Sequence, residues 1–318
     1  MVDALPQEDA VVRLKEKLLG GDLDLPSKYR VLFSLRNVPG RPAQEALEAG
    51  LGDTSTLFRH DVAFCLGQRQ DPNAVKILSK ILGDASEHSM VRHEAGEALG
   101  AIGTPDCKEI LESFSTDSAR EVSETCCLAL QRIAYYRDRG EADSTASTPK
   151  STLSERGSEF SPYLSVDPTP AASMALSTDT LAATLSDESA KMFDRYAALF
   201  ALRNRGGSEA VSAIGKAFSS GSALLKHELA YVLGQMQDPE ATQHLVSVLK
   251  DQGEHAMVRH EAAEALGSIA DEGSVQLLKE FSKDPEPIVA ESCIVALDTL
   301  QYNNSEDFQY ADLGKPKA

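Results

Sequence analysis

The chain has 318 residues, with 49 Asp and Glu against 31 Lys and Arg, so its formal net charge is 31 − 49 = −18. This acidity argues against nucleic acid as the main partner, because duplex binding relies on Lys and Arg to neutralise phosphates. It favours a basic partner or a well-solvated surface. Without Trp, and with only 6% aromatic residues, an aromatic-rich β-sandwich is not expected.

The N-terminus and the cysteines bear on the cellular compartment. The first residues, Met1-Val2-Asp3-Ala4, lack the basic and apolar segments of a secretory signal. No stretch reaches the roughly 18 apolar residues of a membrane span. The chain has five cysteines and no CxxC spacing, which is typical of a protein whose thiols are reduced. We therefore expect a protein of the cytoplasm, and also of the nucleus, with no membrane partner. We also expect the chain to be a monomer.

The whole sequence is a duplication. The run MVRHEAGEALGAI from Met90 agrees with MVRHEAAEALGSI from Met257 at 11 of 13 positions. The run YRVLFSLRN from Tyr29 resembles YAALFALRN from Tyr196. Both pairs have the same offset of 167 residues without a gap, so the chain consists of two related halves.

Each half repeats again internally, with spacings of 31, 33 and 31 residues. The equivalent positions are Tyr29, His60, His93 and Glu124 in the first half and Tyr196, His227, His260 and Glu291 in the second. A period near 32 residues without an alternating strand pattern is typical of an α-hairpin solenoid. The predicted fold is all-α, a HEAT-like α-hairpin solenoid with two pseudo-symmetric four-repeat halves.

Local signals predict where helices begin and end. An N-cap residue followed by Pro predicts a helix start. This pattern occurs at Asp71, Thr104, Asp238 and Asp284. The small residues Gly100, Gly103 and Gly267 close helices, and they are expected to let the next helix approach or the chain turn.

A change in composition separates the two halves. Residues 138–178 are rich in Ser, Thr, Pro and charge, which is typical of a linker. Within it, the segment from Phe160 to Leu164 is a candidate to dock on a domain. The predicted domains are therefore residues 1–137 and 179–303, followed by a flexible tail at 304–318.

Four of the seven histidines are followed by a carboxylate at the same repeat position. These pairs are His60-Asp61, His93-Glu94, His227-Glu228 and His260-Glu261. The terminal repeats of each half carry Tyr or Glu at that position instead, so the pairs belong to the central repeats. Because the two halves arose by duplication, two of the four His-carboxylate pairs are copies of the other two. The pattern therefore counts as two independent occurrences.

These residue types suit a metal ion. Imidazole and carboxylate without thiolate favour Fe, Mn or Zn. Adjacent helical residues point about 100° apart, so one helix cannot chelate compactly through both members of a pair, whereas two neighbouring helices can converge two imidazoles and a carboxylate. If the halves face each other, four carboxylates balance two Fe²⁺ in a dinuclear centre. Two separate mononuclear sites are the alternative.

The other histidines carry weaker signals. His88 and His255 both lie in Glu-His-x-Met just before a helix. They are candidates either for substrate contact or for a solvated loop edge. His244 has no counterpart in the other half and is expected at the surface.

The sequence resembles the deoxyhypusine hydroxylase family of di-iron HEAT-repeat monooxygenases. The resemblance covers both halves and rests on HEAGEALGAIG from His93, HELAYVLGQMQDP from His227, HEAAEALGSIA from His260 and SPYLSVDP from Ser161. It implies hydroxylation, with O₂ as co-substrate, of the deoxyhypusine side chain of eukaryotic translation initiation factor 5A to hypusine. The implied partner is thus a basic protein substrate.

The resemblance also implies a role for each of the eight paired residues as part of a centre with two Fe²⁺ per chain. One iron would be held by His60, His93 and Glu94, and the other by His227, His260 and Glu261. Asp61 and Glu228 would lie close to the irons as further ligands or bind the substrate amine. The family pattern has Glu at position 61, and the shorter Asp61 can act through a bridging water, so we expect a working enzyme.

Two alternatives belong to other classes of protein. One is a non-enzymatic HEAT-repeat scaffold that binds a protein through its concave face, which leaves the His-carboxylate pairs of the central repeats without a purpose. The other is a bilin-lyase-like HEAT protein, which this chain resembles in repeat type alone. Iron content separates both alternatives from the hydroxylase.

Overall fold

The computed structural model describes residues 7–140, 161–305 and 311. These residues form sixteen α-helices and no β-strand, arranged as eight consecutive hairpins, so the predicted all-α solenoid is confirmed. In the first half the helices are α1 (Gln7–Leu19), α2 (Leu25–Asn37), α3 (Arg41–Gly50), α4 (Thr56–Arg69), α5 (Val75–Gly83), α6 (Ser89–Ile102), α7 (Pro105–Phe114) and α8 (Arg120–Gly140). In the second half they are α9 (Thr178–Ser186), α10 (Met192–Arg205), α11 (Gly207–Lys216), α12 (Ala223–Met236), α13 (Thr242–Lys250), α14 (Ala256–Ile269), α15 (Val275–Phe281) and α16 (Pro287–Asn303). None of these described helices is long and apolar enough to span a bilayer.

Three of the four predicted helix starts have the expected position. Asp71 and Asp238 each cap a single 3₁₀ turn that leads into α5 or α13. Thr104 is the N-cap of α7, although its hydroxyl lies 3.2 Å from Cys107 Sγ instead of bonding a backbone N–H. The prediction at Asp284 is wrong because α16 begins at Pro287.

The carboxylate of Asp284 is used elsewhere, which explains the shift of that helix start. It accepts a hydrogen bond from the Glu286 backbone N–H at 3.0 Å and pairs with the guanidinium of Arg259. A carboxylate held by a guanidinium on α14 anchors the loop before α16 instead of capping the helix. Arg92 and Asp117 make the matching pair in the first half.

Small residues bring the second helices of successive hairpins unusually close. A Cβ added to Gly67 of α4 would lie 2.8 Å from the Ala98 Cα of α6, and one added to Gly234 of α12 would lie 3.0 Å from the Ala265 Cα of α14. The same crowding occurs at Gly100 and Gly267. Larger side chains at these positions would push the helices apart, so glycine sets their spacing.

The two halves close into a ring with approximate two-fold symmetry. The Ser55 hydroxyl donates to Glu291 at 2.7 Å, and the Ser222 hydroxyl donates to Glu124 at the same distance. The two serines are 167 residues apart, as are the two glutamates, so the same contact closes both junctions. Arg30 of α2 also pairs with Asp298 of α16.

Part of the linker is folded against both halves. The Val166 N–H donates to Gln68 Oε1 at 2.8 Å, which ties the linker to α4. The buried Arg203 of α10 donates to both carboxylate oxygens of Asp167, at 3.0 and 2.6 Å, and stacks on the Tyr163 ring. We call residues 161–172 the strap.

The structure refines the predicted boundaries. Helix α8 continues to Gly140, three residues past the predicted domain end at 137. Of the segment predicted to dock, Phe160 lies outside the described residues, Tyr163 contacts Arg203, and Leu164 is 99% exposed. Most of the predicted tail also lies outside the described residues, although the Ala311 N–H donates to the Ser34 hydroxyl at 3.2 Å.

Candidate metal centre

Four buried histidines from the two halves meet in one cleft. The ring centroids of His60 and His93 lie 5.6 Å apart. Those of His227 and His260 lie 5.2 Å apart. Across the halves, His60 is 5.3 Å from His260, and His93 is 5.6 Å from His227. The halves therefore face each other through their central repeats.

This convergence follows from repeated local structure. Each histidine is the fifth residue of a 14-residue helix, so the four rings stand at the same height above their N-caps. The glycine contacts described above hold α4 against α6 and α12 against α14. Equal height and close helix approach together bring the imidazoles of one half side by side.

The Nε2 atoms of all four histidines are buried and have no hydrogen-bond partner among the described residues. Leaving a buried polar atom unpaired costs about 1–3 kcal/mol. The other ring nitrogen faces a hydroxyl in two cases, because His93 Nδ1 lies 3.5 Å from Thr125 Oγ1 and His260 Nδ1 lies 3.4 Å from Ser292 Oγ. Such contacts orient a metal-binding imidazole so that its free nitrogen points at the ion.

Carboxylates accompany these nitrogen atoms. Glu94 Oε2 lies 3.4 Å from His60 Nε2 and 4.0 Å from His93 Nε2. Glu261 Oε2 lies 3.2 Å from His227 Nε2. The geometry of these contacts is not that of hydrogen bonds, so the oxygen and nitrogen atoms remain available to a cation.

The described part of the chain contains two groups of candidate metal ligands. Within each group, the ligand atoms all lie within 4.8 Å of one another. The first is His60, His93 and Glu94, the set that the family resemblance implies for one ion. The second contains His227 and His260 together with His60, while Glu261 contacts His227. His60 therefore lies between the two groups, and the four imidazoles form one continuous donor set.

Burial and mutual charge decide the protonation of the rings. Burial, together with the neighbouring histidines, lowers the pKa of His93 and His260 well below the usual value. For His60 burial also favours the neutral form, but the contact of its Nδ1 with Asp61 and the nearby charge of Glu94 outweigh it and raise the pKa. Neutral imidazole is the form that binds metal, so His93 and His260 are ready to act as ligands.

Asp61 and Glu228, although equivalent in sequence, have different surroundings. Asp61 accepts a hydrogen bond from the Tyr29 hydroxyl and lies 3.1 Å from His60 Nδ1. Tyr196, the counterpart of Tyr29, donates instead to the Leu224 carbonyl oxygen at 3.2 Å. Glu228 is 4% exposed and makes no hydrogen bond or ion pair with the described residues.

Sequence reasoning missed two acidic residues of this cleft, Glu97 and Glu264. Each lies one helical turn after a cleft histidine and therefore on the same face of the helix. Burial and the charge of Glu94 raise the pKa of Glu97, and burial and the charge of Asp61 raise that of Glu264. The available signal was their spacing, since they are 167 residues apart within the repeated HEAxE motif.

The three remaining histidines lie outside the cleft. His88 and His255 are the N-caps of α6 and α14, and each Nδ1 accepts a backbone N–H at 3.2 Å. They therefore serve the helices that carry His93 and His260. His244 is half-buried rather than at the open surface, since its ring packs on Gly215.

The fold and the cleft together show the class of protein to which this chain belongs. It is an all-α HEAT-repeat protein with a buried histidine–carboxylate cluster that could hold metal ions. Residues 44–131 and 178–254 match the HEAT repeat family, and residues 258–284 match the PBS lyase HEAT-like repeat. The match to the PBS lyase HEAT-like repeat covers a single repeat. It therefore shows a similarity in the type of repeat alone.

Curated relatives and a solved structure identify the family to which the chain belongs. The chain is 48% identical to the deoxyhypusine hydroxylase of Gallus gallus over 96% of this chain and 97% of the relative. It is 53% identical to that of Arabidopsis thaliana over 92% of this chain and 90% of the relative. The structure of human deoxyhypusine hydroxylase in complex with glycerol superposes with a TM-score of 0.85 at 42% identity, covering 93% of this chain and 97% of the human one. The chain therefore belongs to the deoxyhypusine hydroxylase family, as the sequence resemblance predicted.

Proposed function

We propose that this chain hydroxylates the deoxyhypusine side chain of eukaryotic translation initiation factor 5A to hypusine, with O₂ as co-substrate and two Fe²⁺ as cofactors. The observation that carries the proposal is the convergence of four buried imidazoles whose Nε2 atoms have no partner in the described residues. Family membership supplies the reaction class.

The donor set fits iron. Imidazole and carboxylate ligands that leave coordination positions open are typical of non-haem Fe²⁺ oxygenases. In this proposal His60, His93 and Glu94 hold one ion, and His227, His260 and Glu261 hold the other. When bound, the two Fe²⁺ would supply the two electrons that, with two protons, allow one oxygen atom of O₂ to enter a C–H bond of the substrate while the other leaves as water.

The chain's own residues provide orientation and a dry cleft. Thr125 and Ser292 hold the rings of His93 and His260 from the Nδ1 side. All four cleft histidines are at most 7% exposed, so bulk water is excluded from their ring nitrogens. The net charge of −18 attracts a basic substrate protein and speeds its encounter with the cleft.

The test uses protein purified without oxygen and loaded with Fe²⁺. We expect about two tightly held irons per chain. Addition of O₂ and the deoxyhypusine form of the factor should then increase the mass of the factor by one oxygen atom. Trace iron after loading, or an iron-loaded chain that leaves the factor unchanged, would overturn the proposal and favour a non-enzymatic scaffold.

A further inference from the structure

The histidine cleft is closed at one end and open at the other. One turn before the four histidines, the residues on the same helix face are at most 2% exposed, namely Leu57, Met90, Leu224 and Met257. One turn after the histidines, the residues on that face are all half-buried, namely Phe64, Glu97, Tyr231 and Glu264. Residues three before and four after a given position share its side of a helix. The cleft therefore opens toward the C-terminal ends of α4, α6, α12 and α14.

The strap crosses this open end. The Val166 backbone N–H donates to Gln68 Oε1 at 2.8 Å, and Gln68 Nε2 donates back to the Val166 carbonyl oxygen at 3.3 Å. The neighbouring Ser165 hydroxyl accepts from Gln235 Nε2 at 3.1 Å. Gln68 and Gln235 are equivalent residues, and each is the last but one of its helix. Adjacent strap residues thus join the C-terminal ends of one helix from each half.

The most exposed part of the strap is an apolar side chain between anchored neighbours. Leu164 is 99% exposed, whereas the next most exposed large apolar residue of the described chain, Val12, is 54% exposed. On one side of Leu164, the Tyr163 ring stacks on the Arg203 guanidinium at 4.5 Å. On the other side, Asp167 accepts two hydrogen bonds from the same guanidinium. Leu164 is therefore presented to solvent from a fixed backbone.

A second exposed apolar residue borders the strap. Tyr136 of α8 is 42% exposed, and its ring packs on the Arg132 guanidinium at 4.9 Å. Arg132 in turn donates to the Asp167 carbonyl oxygen at 3.1 Å. Single exposed apolar residues are ordinary on protein surfaces. These two, however, lie at the open end of the cleft, where a protein that inserts a side chain must make contact.

The depth of the histidines below the strap matches the length of the substrate side chain. Gln68 lies eight residues after His60, which is about 12 Å along the helix. Deoxyhypusine is a lysine whose amine carries an aminobutyl chain, and this side chain is also about 12 Å long when extended. A protein whose backbone lies against the strap can therefore place the side chain at the histidines.

We propose that the strap is the docking rim for the substrate protein, and that Leu164 packs against an apolar side chain of that protein beside its deoxyhypusine residue. This inference rests on the proposed function for the identity of the partner. It assigns the end of the ring through which the side chain enters. It also assigns a residue that recognises the protein and not the modified side chain.

The first test locates the docking face by photo-cross-linking. Cys127 is the exposed one of the five cysteines, so Cys127→Ser provides a background without an accessible thiol. A benzophenone is attached either to Leu164→Cys or to Ser86→Cys, which lies in the exposed loop before α6 at the closed end of the cleft. We expect the iron-loaded, oxygen-free protein to cross-link to the deoxyhypusine form of the factor from position 164 but not from position 86.

The second test measures the contribution of Leu164. Leu19→Ser is the matched control, because Leu19 is an exposed leucine of α1. We expect Leu164→Ser to weaken binding of the factor, measured by calorimetry without oxygen, and to raise KM, each by at least about fivefold, as for loss of a leucine buried at an interface. Its kcat, iron content and unfolding temperature should match the wild type, and Leu19→Ser should change binding by less than about twofold.

The outcomes separate this inference from the proposed function. Cross-linking from position 86 that equals or exceeds that from position 164, or equal binding by the two leucine variants, would overturn the docking rim. If binding depends on Leu164 but no oxygen is added to the factor, the rim stands and the proposed reaction fails. If oxygen is added by Leu164→Ser at an unchanged KM, the reaction stands and the rim fails. A factor that the wild-type chain does not bind overturns both.

Discussion

His93 illustrates how single residues build the cleft. Its Nδ1 faces the Thr125 hydroxyl at 3.5 Å, while its Nε2 is buried without a partner in the described chain. We expect His93→Ala to abolish iron binding at its own site, leaving about half of the iron, because a ligand is removed and no neighbour can replace it. Metal analysis after anaerobic loading measures the loss.

A matched control is available on the same helix. His88 is the N-cap of α6, and Asn is a good N-cap, so His88→Asn should keep both the helix and the iron content. Wild-type iron content and activity in His93→Ala would contradict the assignment of that histidine as a ligand. Equal iron losses in both variants would instead indicate general damage to α6.

Asp61 stands where the other half of the chain has the longer Glu228. We expect Asp61→Glu to keep or raise turnover, because it restores the side-chain length that Glu228 has in the other half. The Tyr29 hydroxyl can then bond a backbone carbonyl, as Tyr196 does with Leu224. The kcat for oxygen addition to the factor measures the effect. A marked loss would show that the site is built around the shorter side chain.

The residue types of the cleft were predictable, but their partners were not. The 167-residue offset singled out His93 and His260 because helical periodicity places the repeated residues at equivalent heights. The contact between Tyr29 and Asp61 joins two repeats, and its counterpart at Tyr196 has a different partner. The two carboxylates differ by one methylene group, and a repeat alignment carries no information about which partner each tyrosine reaches.

At the scale of helices, glycine controls the spacing of the repeats. A Cβ on Gly100 would lie 2.5 Å from the Cβ of Ala129, whereas one on Gly83 would lie an ordinary 3.6 Å from the Phe114 ring. We expect Gly100→Ala to lower the free energy of unfolding by about 1–3 kcal/mol through overpacking. Gly83→Ala should change it by less than about 1 kcal/mol. Denaturant unfolding of both variants is the measurement, and equal stability of the two would refute the packing role.

Buried arginines form ion pairs with carboxylates of the next hairpin. The contribution of these ion pairs to stability depends on pH. The guanidinium of Arg92 holds the pKa of Asp117 below its ordinary value of 3.8. A carboxyl whose pKa is lowered by folding stabilises the protein above its unfolded pKa, and this contribution is lost as the pH falls through the folded pKa. Asp117→Asn should therefore cost roughly 1–3 kcal/mol at neutral pH.

The same variant should approach wild-type stability once the pH falls below 3.8. Unfolding of both proteins at neutral and acid pH measures the convergence. Glu45→Gln is the control, because Glu45 pairs with Arg41 on an exposed face of α3 and such pairs contribute at most about 1 kcal/mol. A pH-independent difference for Asp117→Asn would exclude the ion pair as its cause.

At the scale of the whole molecule, two equivalent contacts close the ring. Glu124 and Glu291 accept the hydroxyls of the serines that cap α12 and α4. We expect the double variant Glu124→Ala and Glu291→Ala to unfold at lower temperature and to release iron faster, because the histidines of the two halves are no longer held together. Each charged hydrogen bond contributes about 1.5–3 kcal/mol.

Glu109→Ala is a suitable control for the ring contacts, since Glu109 is exposed on α7. It should leave both the unfolding temperature and the iron release rate unchanged. Faster unfolding without faster iron release in the double variant would show that ring closure stabilises the fold but does not hold the metal centre together.

The amino-acid sequence alone determined the repeat period, the duplication and the repeat position of the four histidines. These features are local, since a helix places equivalent residues at equivalent heights and on one face. Only the tertiary structure decided that Glu124 and Glu291, at the same repeat position, close the ring instead of lining the cleft. This closure depends on how two halves dock, and docking is set by contacts between residues that the repeat period does not relate.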